Sequence, residues 1–192
     1  MVEDPGLRIC ERLEELGPSV SVAMEISFDS YFDAVRGLVD NFSNSKGLHC
    51  IYITSSIPAT TLLGALETLE VDTEKVHFID CLSHMLMGNI DPNERMIFVE
   101  SPTMLENIAL KVEYLMRKNG GEPATVILDS IDSLAIQNDP KILSEFLQIL
   151  LGGLKARETY PVVISMVEQS RPEIREMVHL VCDEVASYFE EE

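Results

Sequence analysis

The stretch ATVILDSIDSL, residues 124–134, carries the clearest fold signal in the chain. Apart from Thr125, the residues before Asp129 are apolar, and they lack the strict alternation of a strand with one solvated face. An uninterrupted apolar run is typical of a strand covered on both faces, as in a parallel sheet flanked by helices. We therefore predict a buried strand that ends at Asp129.

The same kind of pattern recurs on both sides of this stretch. Further strands are predicted by apolar or β-branched runs at 20–26, 49–54, 76–79, 96–99, 161–167 and 178–185. Helices are predicted by amphipathic segments at 5–16, from Asp29 or Ser30 to about Phe42, after Pro58, after Pro102 and at 140–157. This alternation predicts one three-layer α/β/α domain over 1–192, with a mainly parallel sheet, an N-terminal helix at about 5–16 and a core at about 18–189.

Ligands of such sheets bind where the strands end. Four acids follow strands there: Asp80, Glu100, Asp129 and Glu168. One interpretation is a carboxylate-rich pocket for a divalent metal. The other is that acids at strand ends are common in α/β proteins, and we favour it, so we predict no metal site.

Four segments carry a family resemblance. Residues 51–83, IYITSSIPATTLLGALETLEVDTEKVHFIDCLS, resemble the second core strand, helix and third strand of KaiC-like members of the RecA superfamily. Residues 124–136, ATVILDSIDSLAI, resemble the Walker B strand of those proteins, and PVVISMVEQS at 161–170 resembles the strand after it. VHLVCDEVASYF at 178–189 resembles the terminal strand. The resemblance covers about 18–189, and it implies a RecA-like P-loop ATPase fold and an archaeal source.

The chain departs from this family at the phosphate-binding loop. GxxxxGK[ST] supplies bare amides and a lysine for the phosphates, but the matching segment MEISFDSYFDAV, 24–35, contains no Gly and no Lys. A carboxylate placed there instead repels a triphosphate, by about 4 kcal/mol for like charges about 4 Å apart at an effective dielectric of about 20. The degenerate P-loop position comprises Ser27, Phe28, Asp29, Ser30 and Tyr31.

A second departure concerns the catalytic base. The family places glutamates after the second strand to activate water, whereas this chain has Ser55-Ser56-Ile57. The resemblance does preserve Asp129, which matches the aspartate that holds Mg²⁺ through water, with Ser130 beside it. The alternative is that Asp129 only ends its strand and caps the next turn, helped by Ser130 and Asp132. We favour that alternative, and we expect no catalytic residue and no bound cofactor. If MgATP binds at all, we expect a mode of binding that differs from the family's.

Charge and composition restrict the function further. The net charge is −19, from 33 acidic and 14 basic residues, and no basic cluster is present. Direct nucleic-acid binding is therefore not expected. No run of 18 apolar residues and no apolar segment near the N-terminus occur, so we expect no membrane span, no secretory signal and a cytoplasmic location.

Two functions remain from this reasoning. The first is a catalytically inactive KaiC/RecA-like domain, a protein-interaction or regulatory module that binds another protein or a copy of itself. The alternative is a domain that binds a nucleotide or small ligand at the strand ends around Asp129, with little or no ATP hydrolysis. A third possibility is an acidic regulator that reaches nucleic acid only through a DNA-bound partner. GxSxG and GxGxxG motifs are absent, which excludes the usual hydrolase and dinucleotide-binding signatures.

Overall fold

The computed structural model describes residues 5–88 and 92–188. Within these two ranges, seven strands form one sheet: β1 (Val22–Ile26), β2 (His49–Thr54), β3 (Val76–Asp80), β4 (Met96–Phe98), β5 (Ala124–Asp129), β6 (Tyr160–Met166) and β7 (Glu184–Tyr188). Their order across the sheet is β4-β3-β2-β5-β6-β1-β7, and neighbouring strands pair in parallel. The carboxyl ends of all seven strands therefore meet at one edge, called here the carboxyl edge.

Helices cover both faces of this sheet. They are α1 (Pro5–Leu16), α2 (Tyr31–Arg36), α3 (Ala59–Thr68), α4 (Ser83–Met87), α5 (Leu105–Lys118), α6 (Ile131–Gln137), α7 (Pro140–Lys155) and α8 (Pro172–Val181). Helix α2 continues into a π-helical segment, Gly37–Asn44. A Cβ atom added at Gly37 would lie 2.6 Å from the Cα of Gly6, so glycine at 37 lets this segment pack closely on α1.

Strand β5 shows why the sheet lies between two layers. Val126 and Leu128 pack into the core that includes α5 to α8, whereas Ile127 packs into the core that includes α1 to α3. Successive side chains of a strand point to opposite faces, so an unbroken apolar run fills both cores. The predicted α/β fold with a parallel, doubly covered sheet is confirmed.

The prediction for the C-terminal strand is wrong. Residues 178–181 end helix α8, and the strand is Glu184–Tyr188 instead. Ile174, Met177 and Val178 are the buried residues of α8, and their spacing of three and four is helical. The prediction joined the last apolar turn of this helix to the following strand. Residues 1–4 and 189–192, at the ends of the predicted domain, lie outside the described residues.

Candidate functional site

The connection between β1 and α2 is a tight turn of four residues, Ser27 to Ser30. Within it, the amide of Ser30 donates to the carbonyl of Ser27 at 3.1 Å, and the amide of Tyr31 donates to that of Phe28 at 3.3 Å. The amide of Phe28 donates to Oε1 of Glu168 at 3.0 Å. A phosphate-binding loop keeps such amides free for the ligand, whereas these three already have partners within the protein.

Tyr31 is the first residue of α2, and its buried side chain reaches the end of β5. Its hydroxyl donates to Oδ2 of Asp129. The hydroxyl of Tyr52 donates to the same oxygen at 2.6 Å, and Oγ of Ser56 donates to Oδ1 at 2.9 Å. Asp129 is fully buried. Three hydroxyl donors thus enclose this carboxylate, and the four side chains are called here the Asp129 cluster.

The electrostatics of the Asp129 cluster follow from its burial. Removal from water raises the pKa of Asp129 above its ordinary value, and the three hydroxyl hydrogen bonds offset part of that rise. Burial also raises the pKa of Tyr31 and of Tyr52, and the nearby Asp129 carboxylate adds to both increases. The two phenols therefore stay protonated and serve as donors, and hydrogen bonds of this kind offset the cost of burying a carboxylate.

Ser130 has a different structural role from Asp129. Its side chain accepts from the amide of Ser133 at 3.3 Å and forms the N-cap of α6. Asp132 accepts from the amide of Met166 at 2.7 Å, which joins α6 to β6. The cap that we expected Asp129 to provide is thus formed by Ser130, and the interpretation of Asp129 as a turn cap is corrected accordingly.

Asp80, another acid at the carboxyl edge, accepts hydrogen bonds at the starts of two helices. Oδ1 of Asp80 accepts from the amides of Leu82 and Ser83, both at 2.8 Å. Its Oδ2 accepts from the amide of Ala59 at 2.7 Å and from Oγ of Ser83 at 2.6 Å. Asp80 therefore fixes the starts of α3 and α4. Across residues 5–88 and 92–188, no three His, Cys, Asp or Glu side chains are grouped so that they would hold a metal ion.

A second buried acid, Glu25 of β1, was missed by sequence reasoning. It accepts from Nε and Nη2 of Arg175 at 2.7 and 3.0 Å and from Oγ of Ser187 at 2.9 Å, and it contacts Nε2 of His179 at 2.7 Å. Burial alone would raise the pKa of Glu25, but these hydrogen bonds outweigh it and hold the pKa below its ordinary value. Glu25 thereby ties α8 and β7 to β1. The available signal was an acid inside the apolar run VAMEI.

Tyr52 was also missed, although its position offered a signal. It lies within the otherwise apolar centre of β2, HCIYIT. A phenol buried in a central strand needs a hydrogen-bond partner. The pairing of Thr54 with Asp129 places the end of β5 two residues further along β2, within reach of that hydroxyl.

The raised pKa of Tyr31 predicts a pH dependence of stability. A group whose pKa is higher in the folded state contributes stability below its unfolded pKa, about 10 for tyrosine, and loses it as the pH rises further. We expect Tyr31→Phe to cost about 1.5–3 kcal/mol of unfolding free energy near neutral pH, as for a hydrogen bond to a charged group. Above about pH 10, the difference in unfolding free energy between Tyr31→Phe and the wild type should become smaller.

Urea denaturation at a series of pH values measures this difference. Tyr114→Phe is the matched control, since Tyr114 is exposed on α5, and it should change stability little at any pH. A Tyr31→Phe penalty that stays constant up to strongly alkaline pH would contradict the assignment of this hydroxyl as a donor to Asp129.

Comparison with known proteins gives a fold likeness. No family model matches the chain, and no curated protein matches it. A KaiC-like protein of the archaeon Pyrococcus horikoshii is similar in structure, with a TM-score of 0.59 and 16% identity over 88% of this chain and 71% of that one. The flagellar accessory protein FlaH of Methanocaldococcus jannaschii gives a TM-score of 0.58 and 10% identity, over 89% and 71%. At these identities the chain shares their fold.

Proposed function

We propose that this chain is a catalytically inactive RecA/KaiC-like domain that acts as a protein-interaction or regulatory module. The observation that supports it most is the Asp129 cluster. Asp129 matches the magnesium-binding aspartate of KaiC-like ATPases, yet here its two oxygens accept from Tyr31, Tyr52 and Ser56. A metal-bound water would have to displace these donors.

Such displacement is unfavourable for two reasons. Tyr31 is buried against the sheet, so moving its ring aside leaves a cavity, and losing the contacts of a large aromatic side chain costs about 3–5 kcal/mol. The incoming phosphates would also meet Asp29 and the carboxylate of Glu168, which already occupies the amide of Phe28. Both effects oppose the same ligand at the same place.

A cytoplasmic location belongs to the same proposal. All four cysteines are free thiols, and three of them, Cys50, Cys81 and Cys182, are buried. Unpaired cysteines suit a reducing compartment. No helix in the described part of the chain has the length and apolar content that a bilayer crossing requires.

Titration with MgATP tests the proposal. We expect no binding heat at micromolar nucleotide and no ligand-dependent rise in melting temperature. A true ligand at 100 times its Kd would add about 2.7 kcal/mol of stability. Phosphate release should be equal for the wild type and for Asp129→Asn, because any residual activity then comes from contaminants.

Micromolar MgATP binding would overturn the proposal and favour the alternative, a nucleotide site around Asp129. Turnover that is lost in Asp129→Asn would do the same and would also identify the domain as an enzyme.

A further inference from the structure

A groove of about 690 Å³ lies between the edge strand β4 and helix α5, and it is called here the β4–α5 groove. Its apolar walls include Ile97 on β4 and Leu110 and Tyr114 on α5, and the last two are 65% and 57% exposed. Pockets for small molecules measure about 300–1,000 Å³ and have mainly apolar walls with a few polar groups. Strand β4 is separated from β5 by β3 and β2. The groove is therefore distinct from the Asp129 cluster, and its size and walls suit a small organic ligand.

Two lysines of α5, Lys111 and Lys118, also line the groove. They are seven residues apart, so they lie on one face of the helix, two turns from each other. At least eight other lysine and arginine side chains form ion pairs with carboxylates. Within residues 5–88 and 92–188, neither of these two lysines does so, although Glu94 also lines the groove. Nζ of Lys118 donates instead to the backbone carbonyl of Glu94, at 3.3 Å.

The charge of Lys118 also affects a neighbouring side chain. His77 lines the adjoining pocket, to which Lys118 contributes as well. Burial lowers the pKa of His77 below its ordinary value, and the positive charge of Lys118 lowers it further. This influence is expected of an ammonium group that no carboxylate neutralises. In a chain whose net charge is −19, the groove therefore offers two cations that are available to an anion.

The backbone of β4 argues against a peptide as the occupant. The amide of Phe78 donates to the carbonyl of Arg95 at 2.7 Å, so Arg95 turns its carbonyl toward β3 and the next residue, Met96, turns its backbone groups outward. Both of these groups have partners: the amide of Met96 donates to Oδ1 of Asn93 at 2.8 Å, and its carbonyl accepts from the amide of Asn93 at 3.1 Å. A peptide that adds to a sheet edge needs such groups free. The contacts of Asn93 therefore favour a small ligand.

We propose that the β4–α5 groove binds a small aromatic anion. The ring of the ligand packs on the exposed face of Tyr114 and against Leu110 and Ile97, where burial of apolar surface stabilises it. Its carboxylate or phosphate group contacts Lys111 or Lys118 in a charge-assisted hydrogen bond. The inference goes beyond the proposed function, because this binding requires neither a nucleotide at the β1–α2 turn nor a protein partner.

A matched pair of fluorescent probes tests the groove on the full chain. Anilinonaphthalene sulfonate has an aromatic body and one anionic group, and phenylnaphthylamine has the same rings without the sulfonate. We expect the sulfonate probe to saturate at one site per chain. We expect the uncharged probe to bind about fivefold more weakly or worse, since a single exposed ionic contact contributes up to about a factor of five in affinity.

Variants of the groove separate the charged contact from the apolar one. Lys111→Gln with Lys118→Gln should weaken the sulfonate probe about fivefold or more and leave the uncharged probe unchanged. Leu110→Ser with Tyr114→Ser should weaken both probes. The matched control is Arg36→Gln with Lys141→Gln, which removes the same charge from two exposed side chains outside the groove and should change neither affinity.

Circular dichroism confirms that each variant is folded, since this sulfonate also binds partly unfolded proteins. Amide chemical shifts in the wild type should change on probe binding at residues 92–97 and 110–118. The inference would be overturned by the absence of saturable binding, by equal affinities for the two probes, or by shifts that lie elsewhere. A lysine variant that binds the sulfonate as the wild type does, or a control that weakens it equally, would overturn it too. The MgATP titration is a separate readout, so either proposal can fail without the other.

Discussion

Replacing Asp129 by alanine is expected to lower the free energy of unfolding by about 3–5 kcal/mol. The hydroxyls of Tyr31, Tyr52 and Ser56 all donate to this carboxylate inside the protein. Each buried hydroxyl left without an acceptor costs about 1–3 kcal/mol. Urea denaturation at neutral pH, with the midpoint and the slope both fitted, measures the loss.

Asp129→Asn is the matched control, and we expect it to cost less than about 1.5 kcal/mol, because all three hydroxyls keep a hydrogen-bond partner in this variant. The amide oxygen can accept from both tyrosines, and the amide nitrogen can donate to Ser56, whose hydroxyl rotates to accept. If alanine instead stabilises the protein, the carboxylate is strained for the sake of a ligand, as binding-site residues often are. That outcome would contradict a purely structural Asp129 cluster.

The second large effect is expected at Asp80, where even the conservative change Asp80→Asn should cost about 3 kcal/mol. Oδ1 accepts from two backbone amides, and Oδ2 accepts from the amide of Ala59 and the hydroxyl of Ser83. Backbone amides cannot turn round to accept. Whichever oxygen becomes the amide nitrogen, at least one buried N–H then faces another donor.

Asp139→Asn provides the comparison for Asp80→Asn. Asp139 caps α7, and only its Oδ1 accepts, from the amides of Lys141 and Ile142. Asparagine keeps that oxygen and caps about as well as aspartate, so a change of a few tenths of a kcal/mol is expected. Equal denaturation midpoints for Asp80→Asn and Asp139→Asn would show that the four contacts of Asp80 contribute little.

The sequence predicts the layered architecture well because a strand that is buried on both faces has an uninterrupted run of apolar residues. Strand β2 and the start of α7 lie at the predicted residues, since an apolar run and a proline mark them. The boundary between α8 and β7 was harder to predict, because only two residues, 182 and 183, separate them. No local pattern marks where apolar spacing changes from helical to extended within so short a link.

The Asp129 cluster was harder to predict from the sequence than the fold. The position of Asp129 at a strand end was predicted, and so was a helix that begins after Asp29 or Ser30, next to Tyr31. Their contact spans 98 residues, and that of Glu25 with Arg175 spans 150. Which of several hydroxyls or cations reaches a buried acid depends on the strand order and on helix orientation. Neither can be deduced from residue spacing in one chain.

The four-residue turn after β1 also bears on how this protein can evolve. Substituting glycine and lysine into it would not create a phosphate site, because the eight-residue P-loop motif needs a longer loop. An insertion would have to accompany the loss of the Tyr31 contact and of the hydrogen bond between Glu168 and Phe28. Each step taken alone removes stabilising contacts before any phosphate can be held. A nucleotide site at this turn could therefore arise only through intermediates that are less stable than the present protein, and selection for stable folding disfavours such intermediates.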